Sequence, residues 1–445
     1  MTTPAETPNR PVEISHRAVL AIAVPMTLAH VSTPLLGLAD VIVIGQLGDP
    51  ALIGAVALSA IVFDFLFWGF GFLRMGTAGL TAQALGAADD AEQRAVLLRA
   101  LAMALILGLA LVAAQTIIAA LAFPLLGGSD TVTAAAKTYF FIRIWSAPFA
   151  LGNYAVLGWL IGMGRTTMGL ALQIGINIAN IVLCVILAMG LSLGVVGTAL
   201  ATTLAEIGGL IAGLIIVTVH FGSRLGVASA RIFDAHQFRR MAAVNRDIMI
   251  RTVALLAAVV FFTRQGALAG DVTLAANAIL NNFVLVGCFF LDGIATAAEQ
   301  LCGRSVGANN RQAFGRAVKL SLWWSLCLSF CLSLSLFLGG GLAIDAIAKS
   351  DIVRAEARQF LPYAALTPLA GSLAFTFDSV FVGATWNAAM RNLMLLALAF
   401  YLVVWWLLAP YGNHGLWAAW LSLLLMRGGG QLLTYPSLER RTFRR

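Results

Sequence analysis

The chain has 445 residues, 60% of them hydrophobic and only 11% charged, with a mean hydropathy of +0.91. A soluble domain carries about 25% charged residues, and no soluble core can hide this much apolar surface, so the medium around the fold is lipid. The net charge of +8 would suit nucleic acid, but the basic residues alternate with the apolar spans, which is a topology signal.

Residues 1–17 are polar and lack a small-residue cleavage site, so the first span is expected to stay as an anchor. Twelve spans are expected, at roughly 18–46, 53–84, 94–123, 132–161, 167–190, 195–220, 246–268, 274–303, 313–343, 352–383, 389–410 and 414–435. Span 1 carries Pro25 and Pro34, which remove backbone hydrogen bonds and make this helix a candidate hinge. Asp40 rides on it, with Thr33 one heptad earlier on the same face. An acid inside the membrane is costly and normally faces a cavity or a partner, so Asp40 is the leading functional candidate. Span 2 is rich in aromatic rings and ends with Met75; span 4 carries Tyr139, Trp145 and Phe149, with Met163 just after it. Such aromatic and sulfur side chains, where they face a cavity, suit flat organic cations.

Span 5 places Asn177, Asn180 and Cys184 on one stripe, and span 6 places Thr198, Thr202 and Glu206 on one face. Together with Tyr139 these residues are expected to form a polar pocket around Asp40. Residues 221–245, with Arg224, Arg231, Asp234, His236, Arg239 and Arg240, form the longest polar stretch and read as a cytoplasmic linker. It separates a first lobe (1–220, spans 1–6) from a second (246–445, spans 7–12). In the second lobe Asp292, Thr296 and Glu299 share a face of span 8, and Asp378 lies in span 10. These three acids are a possible second polar site, with salt bridges to intramembrane arginines as the alternative. The five cysteines show no zinc or disulfide spacing.

The second lobe repeats the first. Leu80, Gly86-Ala87 and Arg94-Ala95-Val96 recur as Leu301, Gly307-Ala308 and Arg316-Ala317-Val318. Pro148 and Gly162 recur as Pro368 and Gly383, and Gly194 and Gly197 as Gly412 and Gly415. A two-copy membrane chain has a natural site between its halves, as in many secondary transporters. Asp40 breaks the symmetry, because its counterpart falls near Phe261 or Phe262. Arginines such as Arg17, Arg165, Arg240, Arg311, Arg391 and Arg441 cluster at the termini and after even-numbered spans, which puts both termini in the cytoplasm. The only lysines, Lys137, Lys319 and Lys349, do not follow a glycine, so there is no Walker A loop for direct ATP drive. No H-E-x-x-H or G-x-S-x-G motif occurs. The expectation is a non-enzyme without metal or cofactor.

Four stretches carry a family resemblance: Phe72-Leu73-Arg74-Met75-Gly76-Thr77-Ala78-Gly79-Leu80-Thr81-Ala82-Gln83, Asn245-Arg246-Asp247-Ile248-Met249, Leu291-Asp292-Gly293, and Phe381-Val382-Gly383-Ala384-Thr385 followed by Met390-Arg391-Asn392. The chain resembles the multidrug and toxic compound extrusion (MATE) transporters, in their DinF branch, over nearly its whole length. The resemblance implies an all-α membrane protein with twelve transmembrane helices in two pseudo-symmetric six-helix lobes around a central cleft. It implies antiport of organic, often cationic, compounds against protons or sodium. Asp40, Tyr139, Asn180 and Thr202 match the family's first-lobe cation site, and Pro25 matches its bend. Cys184 stands where relatives often have an Asp, which disfavours sodium, since a thiol is a poor ligand for a hard cation. The expected function is proton-coupled multidrug efflux from the inner membrane by a monomer, with small organic molecules and lipid as its only partners. A lipid-linked precursor flippase and a sodium-coupled antiporter are the alternatives.

Overall fold

The structure is a computed structural model that describes residues 13–45, 50–127, 129–221 and 229–444, with side chains for 13–32, 52–127, 129–220 and 231–444. Among the described residues every regular element is helical. The α-helices are α1 (His16–Gly45), α2 (Pro50–Gly69), α3 (Phe72–Gly86), α4 (Asp90–Ala113), α5 (Gln115–Leu126), α6 (Asp130–Arg143), α7 (Ala147–Gly162) and α8 (Thr166–Cys184). They continue with α9 (Gly194–Phe221), α10 (Ser229–Ile232), α11 (Ala235–Leu268), α12 (Asp271–Gly307), α13 (Arg311–Ile347), α14 (Asp351–Gly383), α15 (Asn387–Leu408) and α16 (Gly412–Thr442). Three expected spans are each built from two helices: α2 and α3, α4 and α5, α6 and α7. A π-helical stretch, Val185–Gly190, extends α8. Among the described residues nine helical stretches are long and apolar enough to cross a membrane. One of them, Asn387–Thr442, holds both of the last two expected spans; α1 and α11 supply the other two.

One helix, α13, is inside-out relative to a helix of a soluble bundle. On α13, Ser321, Ser325, Ser329 and Ser333 are buried while Trp323, Leu326, Phe330, Leu334 and Phe337 are exposed. Small polar residues let helix backbones approach closely in lipid, and large apolar ones face the tails.

The repeat is legible at the level of single atoms. A side chain added at Gly162 would meet the Ala78 carbonyl at 2.6 Å, and one added at Gly383 would meet the Glu299 carbonyl at 2.3 Å. The same shift of 221 residues relates both members of the two crossings. The turns repeat as well: Ala88 and Asn309 have φ of 51° and 52°, and Gly164 and Thr385 have φ of 70° and 57°. The following helices start with matching caps. Asp89 Oδ1 accepts from the Glu92 amide at 3.0 Å, and Asn310 Oδ1 from the Ala313 amide at 2.9 Å.

The chain divides into two compact units. The first comprises Leu28–Thr81 and Asp89–Ala242; the second comprises the described part of Met1–Thr27, Ala82–Ala88 and Ala243–Arg445. The first unit has a core around Leu97, Val156, Trp159, Leu172 and Ile176. The second has one around Phe262, Leu280, Phe360 and Trp417. The early turns of α1 belong to the second unit. There Gly293 lies so close that an added side chain would sit 1.9 Å from Thr27 Oγ1, and Thr27 Oγ1 donates to the Phe290 carbonyl at 3.5 Å. The division falls inside α1, two residues after Pro25.

Segment Ala82–Ala88 likewise belongs to the second unit. Gly86 packs on the Arg304 carbonyl and Gly307 on the Gln83 carbonyl, at 2.0 and 1.9 Å from the position a Cβ would take. Gly86 and Gly307 are repeat equivalents, as are Gln83 and Arg304, so the crossing is self-complementary.

Candidate transport site

Within the first unit the polar residues of the sequence reading fall on α1, α6, α8 and α9. Asn180 Nδ2 on α8 donates to Thr202 Oγ1 on α9 at 2.9 Å. Thr202 Oγ1 donates to the Thr198 carbonyl at 3.2 Å, and the Cys184 thiol to Thr198 Oγ1 at 3.7 Å. The i, i+4 spacing on both helices aligns these groups, and all are buried. The amide oxygen of the same side chain, Asn180 Oδ1, is buried and has no partner among the described residues. A buried carbonyl acceptor of this kind calls for a donor or a cation.

One turn earlier on α8, Asn177 Nδ2 donates to Ser32 Oγ on α1 at 3.1 Å, and Asn177 Oδ1 accepts from Gln173 at 3.2 Å. This bond ties α8 to α1 within the unit. Asp40, Thr33 and Pro34 lie further along α1, where the side chains fall outside the described residues.

Glu206, one turn beyond Thr202, accepts from Asn153 Nδ2 on α7 at 2.6 Å. Asn153 also donates to the Glu206 carbonyl at 3.0 Å, and its own Oδ1 is buried without a partner among the described residues. The sequence reading missed Asn153 because its partner stands 53 residues away. Tyr139 is buried on α6, and its hydroxyl accepts from Arg143 Nη1 at 3.1 Å. The Arg143 guanidinium lies 4.4 Å from the centre of the Phe63 ring. It is also within electrostatic reach of Asp64 and Glu206. Arg143 therefore belongs to the polar network of this unit, and Asp64 is an exposed acid within reach of its charge.

The aromatic and sulfur candidates separate. Trp145 is 57% exposed, whereas Met163 packs on the core around Trp159 and Leu172. Met75 and Phe149 are half-buried.

The second unit holds its acids differently. Asp378 on α14 is buried and accepts from Arg251 on α11 and from Arg427 on α16. Gln431 adds a bond to Asp378 Oδ1 at 2.6 Å. Asp292 lies within reach of both arginine charges. Asp378 is thus a satisfied ion-pair centre. Glu299 is buried on α12, on the stretch that packs against Gly383.

The MatE family model matches residues 25–186 and 248–407, most of both halves. The chain belongs to the MatE family. It is 35% identical to the DNA damage-inducible protein F of Escherichia coli K12, covering 97% of this chain and 93% of that protein. It is 26% identical to a probable multidrug resistance protein NorM of Bradyrhizobium diazoefficiens, over 72% of this chain and 70% of that one. Among solved structures, a MATE protein in its bent conformation superposes with a TM-score of 0.87 at 19% identity, covering 96% of this chain and 97% of the other. A MOP superfamily transporter from Pyrococcus furiosus gives 0.83 at 18% identity, covering 96% of each chain. The last two show the shared MATE fold of twelve helices. The protein is a multi-pass membrane protein of a family of transporters, not enzymes.

Several motif residues of the MATE resemblance turn out to be joints. Asp247 Oδ1 accepts from Arg391 at 2.7 Å and from Arg246 at 3.0 Å. Gln83 Nε2 donates to the Gly383 carbonyl at 2.8 Å.

Proposed function

We propose that this MATE protein exports amphipathic, mainly cationic organic compounds across the inner membrane in exchange for protons, with both termini in the cytoplasm. Asp40 is the coupling carboxylate, and Tyr139, Asn177, Asn180, Thr202 and Glu206 form its polar surroundings. The reading is carried by the Asn180–Thr202 pair, which leaves a buried amide oxygen open to a donor. A protonated carboxyl on the neighbouring α1 supplies such a donor; an ionised one gives up that bond and holds an organic cation. Proton and drug then compete for one group, which is the differential affinity that alternation needs. The energetics suffice: one proton crossing about 100 mV supplies about 2.3 kcal/mol, and each pH unit adds about 1.4.

Cys184 supports protons over sodium. Its thiol is buried against Thr198, and no carboxylate occupies that turn, so a hard cation would lack a charged oxygen ligand there. Arginines after even-numbered spans support the orientation.

The test is dye export from liposomes under an imposed pH gradient. Asp40→Asn should abolish transport while expression and melting stay normal. Replacing sodium by choline at fixed pH should leave the wild-type rate unchanged, and Cys184→Asp should introduce a sodium response. Full transport by Asp40→Asn would overturn the carboxylate assignment. A several-fold loss on sodium removal would overturn the choice of ion.

A further inference from the structure

We propose that the start of α13 and the end of α16 form a binding pocket for a phosphate-bearing anion, with the headgroup of an anionic phospholipid as its occupant. The cavity has a volume of about 700 Å³ and its lining includes Arg311, Gly315, Arg316, Lys319, Glu439 and Phe443. Three cations face one carboxylate. Arg311 is committed to that carboxylate, its Nε donating to Glu439 Oε1 at 3.0 Å. Arg316 and Lys319 are exposed and have no ion-pair partner among the described residues. An arginine fork beside a lysine point charge is a natural receptor for a phosphodiester.

The helix face selects the lipid source over a free phosphate. Arg316 and Lys319 continue, at spacings of three and four, into Trp323, Leu326, Phe330, Leu334 and Phe337, all exposed large apolar residues. Cations at the helix end, then a tryptophan, then a strip of aliphatic and aromatic side chains follow the order headgroup, interface and tail. Lys319 and Trp323 are one turn apart, about 6 Å along the axis, which matches a phosphate sitting just above the acyl chains.

At the start of α4 the repeat keeps a counterpart of Arg316 in Arg94, but Asp89, Asp90 and Glu92 surround it and no lysine matches Lys319. Glu92 accepts from Arg99 at 2.8 Å, and Arg231 bonds to Asp89. The pocket therefore departs from the repeat at Arg311 and Lys319, and it belongs to the second unit, whereas the polar residues assigned to transport belong to the first.

The test uses the full-length protein in detergent, with phosphatidylglycerol or phosphatidylcholine added at equal amounts and retained lipid counted by native mass spectrometry. Wild type should retain phosphatidylglycerol preferentially. Each cation near a membrane surface contributes about fivefold in lipid affinity, so Arg316→Gln or Lys319→Gln should lose about fivefold and the double variant about 25-fold. Arg316→Lys should keep most of the preference, and Glu439→Gln, which frees Arg311, should raise it. Inorganic phosphate at millimolar concentration should not displace the lipid. Titration with inorganic phosphate alone distinguishes the sources: tight binding lost in the double variant would keep the phosphate site but overturn the lipid assignment. Equal retention of the two lipids, or a preference unchanged in the double variant, would overturn the pocket itself.

Discussion

The first half keeps polar side chains where the second half has rings. A shift of 221 residues carries Asn180 to Tyr401 and Cys184 to Trp405, and the shift of 218 set by Gly194 and Gly412 carries Thr202 to Trp420. Asp40 maps to Phe261 or Phe262. These second-half residues pack on one another. Phe261 meets Tyr401 at 5.7 Å and Trp405 at 4.9 Å, Phe262 meets Trp420 at 5.6 Å, and Tyr401 meets Trp420 at 6.4 Å between ring centres. The hydrogen-bonded pair Asn180–Thr202 in one half thus corresponds to a ring pair in the other. One backbone repeat has been given a polar interior in one copy and an aromatic plug in the other. The lesson is that pseudo-symmetry of fold leaves the chemistry of each half free to diverge.

The comparison extends to the buried acids, where the largest effect is expected. Asp378 balances two guanidinium groups, so Asp378→Asn strands buried positive charge and should cost about 4 kcal/mol. Glu206 has only an amide as its described hydrogen-bond partner, and Glu206→Gln should change stability by about 1 kcal/mol while impairing transport. Thermal melting of the two purified variants checks this. Equal melting losses would break the distinction between a structural acid and a working one.

A smaller effect tests the plug directly. Phe262→Ala removes a ring in edge-to-face contact with Trp417 and Trp420 and should cost about 3 kcal/mol, with the pH profile of transport unchanged. Asn180→Leu should do the reverse, losing coupled transport with a stability change of about 1 kcal/mol. A Phe262→Ala variant with a shifted pH profile would mean that the second-half rings take part in coupling.

Much of this was legible in the sequence, and what was not has a physical reason. The spans and the repeat follow from apolar runs and recurring glycines, because close crossings such as Gly162 on Ala78 admit no side chain. Asn180 and Thr202 were each legible as polar positions on one stripe of their own helix, and the family resemblance grouped them. Asn153 with Glu206 was not, since periodicity does not say which helix lies opposite. Nor does it separate a cavity wall from a core, which is why Met163 reads like Met75 in sequence yet packs against the core that holds Trp159. The motif residues Asp247, Arg391, Gln83 and Gly383 signalled a family, and their geometry shows that they hold helices together.

The smallest expected effect separates the first helices of the two halves. Each starts with a side-chain cap. Ser15 Oγ accepts from the Ala18 amide at 3.2 Å at the start of α1, whereas Asp234 Oδ1 accepts from the amides of His236 and Gln237 at 2.8 and 3.2 Å at the start of α11. The serine does not titrate in this range. The backbone donors at Gln237 and His236 hold the Asp234 carboxyl below the usual carboxylate range. A depressed folded-state pKa means that the cap is fully present above the ordinary value and is lost as pH falls through the lowered one. Acid should therefore fray the first turn of α11 and leave that of α1 intact. Hydrogen exchange at residues 235–238 should speed up in Asp234→Ala at neutral pH, and wild type should approach the variant below about pH 4. Exchange at residues 16–18 should show no such convergence. Equal acid sensitivity at both helix starts would mean that the ends are held by their packing and not by their caps.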